Sequence, residues 1–322
     1  MTSPRVGVVG ARRRRQGLGP FVVRDLVAAG ATVPGLVATT EASGRRAAAD
    51  LSAQFGVEAR AYPDVDAMVA AEHLDAVAIL SPAETHRAYL EAALDAGLHV
   101  LCEKPLLWDG RDLARVAEQL VGAFDAGGLV LWENCQWPYT LPAFEALHPG
   151  ALGAPPRTFE MELQPASSGR QMLGDCLPHV LSLLQAVVPG GAPRVEEPAF
   201  STRDPAAESL RVTFRFCTSE AVTRVRAELR GSDARPRRAA YALDGRWARR
   251  EVSLPEYRLS FRDRERTVAA ADPLRLLVEG FVAAIRGGDA PRAVSRGPEI
   301  AERMRLLAAI VEAYEGAGRG GG

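Results

Sequence analysis

The sequence predicts an α/β protein of two domains, an N-terminal doubly wound parallel sheet and a C-terminal α+β domain built on a large, mostly antiparallel sheet. Three observations predict it. Over residues 1–130, short apolar runs alternate with helical patterns of ten or more residues, which implies crossover connections and a parallel sheet covered on both faces. From about residue 155 to 270 the pattern becomes strict alternation, as in Leu210, Val212, Phe214 and Phe216, then Val225, Ala227 and Leu229, the mark of half-buried antiparallel strands. A length of 322 residues, 47% hydrophobic and 25% charged, is enough for two cores.

The elements follow in order. Val6 to Val9 reads as a strand and Phe21 to Ala29 as a helix; Val33 to Ala38 is a second strand, and Arg45 to Phe55 is a helix stopped by Gly56. Val57 to Tyr62 is a weak third strand and Ala76 to Leu80 a continuous apolar fourth. Glu84 to Ala96 carries helical spacing up to Gly97, His99 to Cys102 is the fifth strand, Arg111 to Phe124 a helix, and Leu129 to Trp132 the sixth strand. In the second half Gly231, Asp244-Gly245 and Pro255 supply turns, and the helices Pro273 to Arg286 and Glu299 to Tyr314 close the chain. The expected division is 1–130, 131–315 and a glycine-rich tail, 316–322, without structure of its own.

Charge and composition exclude several classes. A net charge of −1 offers no basic field for nucleic acid or an anionic membrane. No apolar run approaches the roughly 20 residues of a membrane helix, and a strand pattern begins within a few residues of Met1; the expectation is a cytoplasmic protein without a signal peptide. The cysteines, Cys102, Cys135, Cys176 and Cys217, show no Cys-x-x-Cys spacing, so neither a zinc site nor a disulfide framework is expected.

Of 39 basic residues one, Lys104, is lysine, and Asn134 is the only asparagine. Four isoleucines point to a genome that avoids AT-rich codons, under which a persisting lysine marks a position arginine cannot fill. Lys104 follows the fifth strand in His99-Val100-Leu101-Cys102-Glu103-Lys104-Pro105, and Ser81-Pro82-Ala83-Glu84-Thr85-His86 follows the fourth. Both segments reach the carboxyl ends of parallel strands, where open α/β sheets bind ligands, so Ser81, Pro82, His86, Glu103 and Lys104 are candidate cofactor contacts.

After the first strand stands Gly10-Ala11-Arg12-Arg13-Arg14-Arg15-Gln16-Gly17-Leu18-Gly19, where a G-x-G-x-x-G count from Gly10 fails at Arg12 and Arg15. Gly10, Gly17 and Gly19 read as the close backbone approach to a pyrophosphate, with Arg12 and Arg13 as phosphate contacts; a solvated basic loop is the alternative. At the end of the second strand Thr39, Thr40 and Arg45 suit a 2'-phosphate better than a 2'-hydroxyl, so NADP(H) is expected over NAD(H), with Glu41 close enough to oppose it.

The run from Ala78 to Leu106 resembles the Gfo/Idh/MocA (glucose-fructose oxidoreductase, inositol dehydrogenase) family: an apolar strand, Ser-Pro, a histidine at the next helix, Ala-Gly-x-His-Val, then Glu-Lys-Pro. Asp175-Cys176-Leu177-Pro178-His179 matches the family's later Asp-x-x-x-His, and the resemblance extends over essentially the whole chain. It implies a Rossmann domain, a nicotinamide-dependent oxidoreductase acting on a sugar, cyclitol or related metabolite, and a homodimer or homotetramer. By the same resemblance His179 is the base for the hydroxyl proton, a task an imidazole of unperturbed pKa about 6.5 suits. Lys104 holds the substrate oxygen, and Asp175 orients the substrate or the imidazole.

Four residues apart, Asp175 and His179 share a helix face; Pro178, tolerated in a first turn, predicts a helix starting near Asp175. Asn134 stands where the family has Asn-x-Arg-aromatic, with Gln136 in place of the arginine. Trp137, Arg170 and Gln171 are candidate substrate contacts, Trp137 as an apolar platform or as core, Arg170 as a grip on an anionic group or as an ordinary surface arginine. An imine reductase, a glycosidase that uses nicotinamide without net redox, and a ligand sensor are the competing readings.

Overall fold

A computed structural model of the chain describes residues 3–11, 18–110, 112–202, 208–253, 258–288 and 296–319. They form two compact units: the first comprises Met1–Asn134 and Leu274–Ala301, the second Cys135–Pro273 and Glu302–Gly322. The chain therefore leaves the first unit near residue 134, returns at 274 and leaves again at 301. The sequence boundary at 130 misses that return, because an amphipathic helix near the C-terminus carries no sign of which core it completes.

The first unit alternates β1 (Val6–Val9), α1 (Gly19–Ala28), β2 (Gly35–Val37), α2 (Glu41–Phe55), β3 (Arg60–Tyr62), α3 (Val65–Ala71), β4 (Ala76–Ile79), α4 (His86–Asp95), β5 (His99–Cys102), α5 (Leu113–Ala126) and β6 (Leu131–Glu133). The six strands pair in parallel in the order β3-β2-β1-β4-β5-β6. Their order reverses beside β1, which places the ligand crevice of such a sheet at the carboxyl ends of β1 and β4. Every residue of those two strands is buried, as a parallel sheet covered on both faces requires. α3, absent from the sequence reading, is one short helix capped by Asp64, whose carboxylate accepts from Ala67 N–H.

α2 begins at Glu41, earlier than expected, because Thr40 and Ser43 form a reciprocal capping box. The returning segment carries α8 (Pro273–Ile285) and the start of α9 (Gly297–Arg319). It seals the β6 edge: the Phe281 ring packs against Trp132 at a tilt, with centroids 6.2 Å apart, and Arg296 forms an antiparallel bridge with Trp132. Arg286 closes the end of α1 by donating to the carbonyls of Ala29 and Gly30.

The second unit holds α6 (Leu141–Leu147), β7 (Thr158–Leu163), α7 (Gln171–Val187), β8 (Arg194–Ser201), β9 (Ser209–Cys217), β10 (Val222–Arg230), β11 (Ala239–Leu243), β12 (Arg246–Ser253), β13 (Arg258–Arg262), β14 (Thr267–Ala270) and the rest of α9. Its eight strands run in the order β14-β13-β12-β11-β7-β10-β9-β8. All neighbours are antiparallel except β7 and β10, which are parallel.

Two expectations are corrected here. α7 starts at Gln171 rather than near Asp175 and takes Pro178 into its interior; eleven of its residues are buried, and that packing holds the helix through the one hydrogen bond Pro178 lacks. The tail expected without structure from 316 continues α9 to Arg319. All four cysteines are buried and none is disulfide-bonded. Among the described residues no helix is long and apolar enough to cross a membrane.

Candidate active site

In the first unit the predicted residues gather at the carboxyl ends of β1, β4, β5 and β6. Gly10 ends β1 at φ +82°, where a side chain would be strained, and a Cβ there would meet the backbone of Leu80 and Ser81 at 2.8 Å. A Cβ on Gly19, at the start of α1, would collide with the Ala11 carbonyl. The backbone is thus drawn tight on both sides of the turn. Arg12, Arg13 and Gly17 lie outside the described residues.

Thr39 and Thr40 are exposed after β2, but Thr40 Oγ1 accepts from Ser43 N–H at 3.2 Å as the helix cap. Arg45, on the exposed first turns of α2, is ion-paired with Glu41 four residues before it. An exposed pair of this kind contributes little to stability and exchanges its partner readily.

Beyond β4 a 3-10 turn at Ala83–Thr85 follows Pro82, and Ser81 Oγ lies 2.7 Å from Thr85 Oγ1. His86 is fully buried behind this turn, its Nε2 2.9 Å from the Ser81 carbonyl oxygen and its Nδ1 3.0 Å from that of Pro105. The structure thus corrects His86 as a cofactor contact: it joins two loops from beneath and offers no accessible surface.

Lys104 follows β5, next to Glu103, and the carboxyl groups of Glu103 and of Glu133 at the end of β6 are both anchored. Glu103 Oε1 accepts from Asn134 Nδ2 at 2.6 Å, and Glu133 Oε1 accepts from Leu106 N–H at 2.8 Å. Burial pushes the Glu103 carboxyl up from its usual range, while the Lys104 ammonium, the Asn134 amide and His86 draw it part of the way back. Burial, with Glu133 and Glu103 adding, also raises the Cys102 thiol well above its usual value, so it is no nucleophile. Glu103 is therefore a support for Asn134.

A dinucleotide fits this edge. Asn134 Oδ1 is buried and accepts no hydrogen bond from any described residue, an unfilled acceptor at the strand ends. The cradle that a Cβ on Gly10 would fill lies at the end of β1, on the same edge of the sheet with β4 and β5 between. Gly10, Gly19, Ser81, Lys104 and Asn134 would hold the group.

In the second unit the site is built on α7. From Met172 to Leu184 every residue is buried except Asp175 and His179, so these two alone open that stretch of the helix. Ser167 Oγ donates to Asp175 Oδ2 at 2.5 Å, and Gln171 Nε2 reaches Asp175 Oδ1 at 3.5 Å. Trp137, on the 3-10 turn Trp137–Thr140, meets the His179 ring edge-on with centroids 6.3 Å apart.

The three candidate substrate contacts stand as follows. Trp137 is 5% exposed and packs against Tyr241 and Phe261, a wall rather than an open platform. Arg170 is ion-paired with Glu315 at 2.7 Å, on the final helix, rather than turned to an anion. Gln171 serves Asp175 from one turn earlier on α7.

The sequence reading missed Ser167, Arg237 and Arg250. Arg250 stands on the face of β12 that carries Ala248 and Val252, opposite Phe261. An arginine at an inward position of an alternating strand was the available signal. Its guanidinium lies 5.6 Å from the centre of the Trp137 ring, and its Nη2 donates to the Arg237 carbonyl. Gln136, Trp137, Thr140, Arg250, Leu259, Asp272 and Pro273 line a cavity of about 50 Å³. Burial, with Arg235 adding, lowers the Arg237 guanidinium from its usual value, opposed by the carboxylate of Asp175.

Residues 4–127 match the family model described as an oxidoreductase family with an NAD-binding Rossmann fold. A UDP-N-acetylglucosamine 3-dehydrogenase of Acidithiobacillus ferrooxidans is 35% identical over 140 residues, 42% of this chain and 42% of that protein. Its solved structure, 24% identical, covers 98% of this chain and 99% of its own with a TM-score of 0.68. An inositol 2-dehydrogenase of Leifsonia xyli subsp. xyli is 40% identical over 114 residues, 35% of this chain and 31% of that protein. A levoglucosan dehydrogenase in complex with NADH and levoglucosan is 16% identical, covers 98% of each chain and has a TM-score of 0.68. The chain spans less than half the length of the curated relatives it matches in sequence, while the fold likeness runs the full length. Glu-Lys-Pro after the fifth strand of a six-stranded parallel sheet and the match over residues 4–127 agree: that region is similar to the oxidoreductases with an NAD-binding Rossmann fold.

Proposed function

We propose that the protein is an NAD(P)-dependent dehydrogenase or reductase of a small polyhydroxylated metabolite, a sugar or cyclitol, with Lys104 and His179 as its working groups. The observation that carries this reading is the opening in α7: one face of a buried helix exposes a carboxylate and an imidazole, and nothing else, over Met172 to Leu184. A bound nicotinamide supplies a two-electron hydride acceptor or donor. The chain supplies the rest. Lys104 Nζ donates a hydrogen bond to the substrate oxygen and stabilises charge developing there. His179 accepts the hydroxyl proton in oxidation and returns it in reduction. Asp175, held by Ser167 and Gln171, orients the substrate or the imidazole, and Trp137 excludes water from one side.

The test is incubation with NADP+ or NAD+ and a panel of sugars, polyols and amines, following reduced nicotinamide and free sugar together. Coenzyme reduction with a polyol is expected. Sugar release without net reduction would point to a glycosidase, turnover of amines alone to an imine reductase, and binding without turnover to a sensor.

The finer proposal is preference for NADP(H). Arg45 can exchange exposed Glu41 for a 2'-phosphate beside Thr39 and Thr40. Arg45→Ala is expected to weaken NADPH binding about tenfold and leave NADH unchanged. Equal dissociation constants for the two coenzymes in the native protein would remove this preference. By the same family reading the chain assembles as a homodimer or homotetramer, which light scattering measures directly.

A further inference from the structure

His86 opens α4 with no exposed surface, and both of its ring nitrogens face carbonyl oxygens, Ser81 at 2.9 Å and Pro105 at 3.0 Å. A carbonyl oxygen only accepts. A neutral imidazole has one N–H, so in that form its other nitrogen would aim a lone pair at a buried oxygen, leaving both acceptors in repulsion. Both contacts are satisfied only by a ring with a hydrogen on each nitrogen.

From the end of β5 the Glu103 carboxylate interacts with the ring. Cys102, from the same strand, is held as a neutral thiol by its burial. Glu133, from β6, is engaged by Leu106 N–H. On the ring's own segment Glu84, Arg87 and Glu91 are exposed, with Arg87 paired to Glu91.

We propose that His86 is a positioning residue: doubly protonated, it straps the Ser81 loop after β4 to the Lys104-Pro105 turn after β5 and so fixes where Lys104 leaves the sheet. Pro105 has no N–H with which to anchor itself, so its carbonyl and the neighbouring Leu106 N–H are the grips on this turn, one held by His86 and the other by Glu133. Losing one hydrogen turns one grip repulsive and frees the turn. The consequence for turnover rests on Lys104 being the oxygen-holding cation of the proposed reaction; the strap itself does not.

Because Lys104 is the only lysine, protein grown on lysine labelled with carbon-13 at Cε gives a single side-chain signal. With histidine nitrogens also labelled, and the His86 signals assigned through their loss in His86→Gln, both His86 nitrogens of the native protein are expected to carry hydrogen at neutral pH. The Lys104 signal is expected to move on raising pH at the point where His86 loses its hydrogen. His86→Gln keeps one amide donor for Ser81 and none for Pro105, so its Lys104 signal should already be displaced and its kcat should fall about tenfold with KM unchanged.

A bare ring nitrogen at His86 at neutral pH, or a Lys104 signal that ignores both the His86 titration and the substitution, overturns the proposal. If His86→Gln fails to fold, the native protein decides it: the histidine signals are then assigned by substituting the other four, and the two titrations are compared. Absence of any turnover would count against the oxidoreductase reading while leaving both spectra to decide the strap.

Discussion

Replacing Lys104 separates charge from shape. Lys104→Ala is expected to lower kcat/KM by about 10²–10³, the usual loss when one donor to a developing oxyanion is removed. Lys104→Arg should fail to restore it, because a wide planar fork cannot take the place of a compact ammonium beside the anchored Glu103. Steady-state rates on the best substrate of the panel check both, and a fully active Arg variant would contradict the argument. His179→Ala is expected to lose about 10²–10⁴ in kcat. Gly19→Ala drives a methyl group into the Ala11 carbonyl and should cost about 1–3 kcal/mol of stability, read from urea midpoints, while weakening coenzyme binding. Lys104, Asp175 and His179 were legible in the sequence because each stands in a spaced motif. Asn134 was legible as a residue, but its pairing with Glu103 was not, since a bond between neighbouring strand ends leaves no local pattern. Arg170 read equally as a grip on an anion or an ordinary surface arginine, because Glu315, its partner, lies on the last helix.

Among the elements, α2 is defined at its start by two side chains rather than by its apolar face. Thr40→Ala removes the cap and should cost about 1 kcal/mol, a fall in Tm of about 2–4 °C by calorimetry. The β5–β6 pairing carries a pH dependence. Val130 N–H donates to His99 Nδ1 at 2.9 Å, and burial lowers the His99 titration below its usual value. The unfolded chain therefore takes up this proton at higher pH than the folded one. This contribution is complete above the unfolded value of about 6.5 and is lost as pH falls through it. Denaturant midpoints of native protein and His99→Phe from pH 8 to 5 test this: the native midpoint should fall and the variant's fall less. Element identity was largely legible where periodicity ran unbroken, as in β5, predicted at the residues it occupies. It failed where a local rule met a strong tertiary one. Pro178 argued for a helix start, and the apolar residues on both sides of it carried α7 through. The parallel pairing of β7 with β10 was invisible because alternation reports which face is buried and says nothing of strand direction.

For the whole molecule, the division into units follows packing rather than chain order. Residues 1–134 contain all six strands of the parallel sheet but lack the ring that packs against Trp132 and the bridge beside it. Expressed alone, they are expected to fold loosely, with poor dispersion of amide signals. A chain joining 1–134 to 274–301 through a flexible linker should recover a cooperative unfolding transition, and equal cooperativity in the two would show that the return segment is dispensable. Among the described residues the large charge-laced sheet exposes one large apolar side chain, Val222 on β10; the other exposed one, Val27, is on α1. The same return segment governs how the protein is made. As a ribosome releases the chain from its N-terminus, the parallel sheet emerges first, yet the partner of its β6 edge leaves only after the whole antiparallel sheet has followed. The first part synthesised is therefore among the last to be finished, and until then its unsealed edge is the surface a chaperone would have reason to meet.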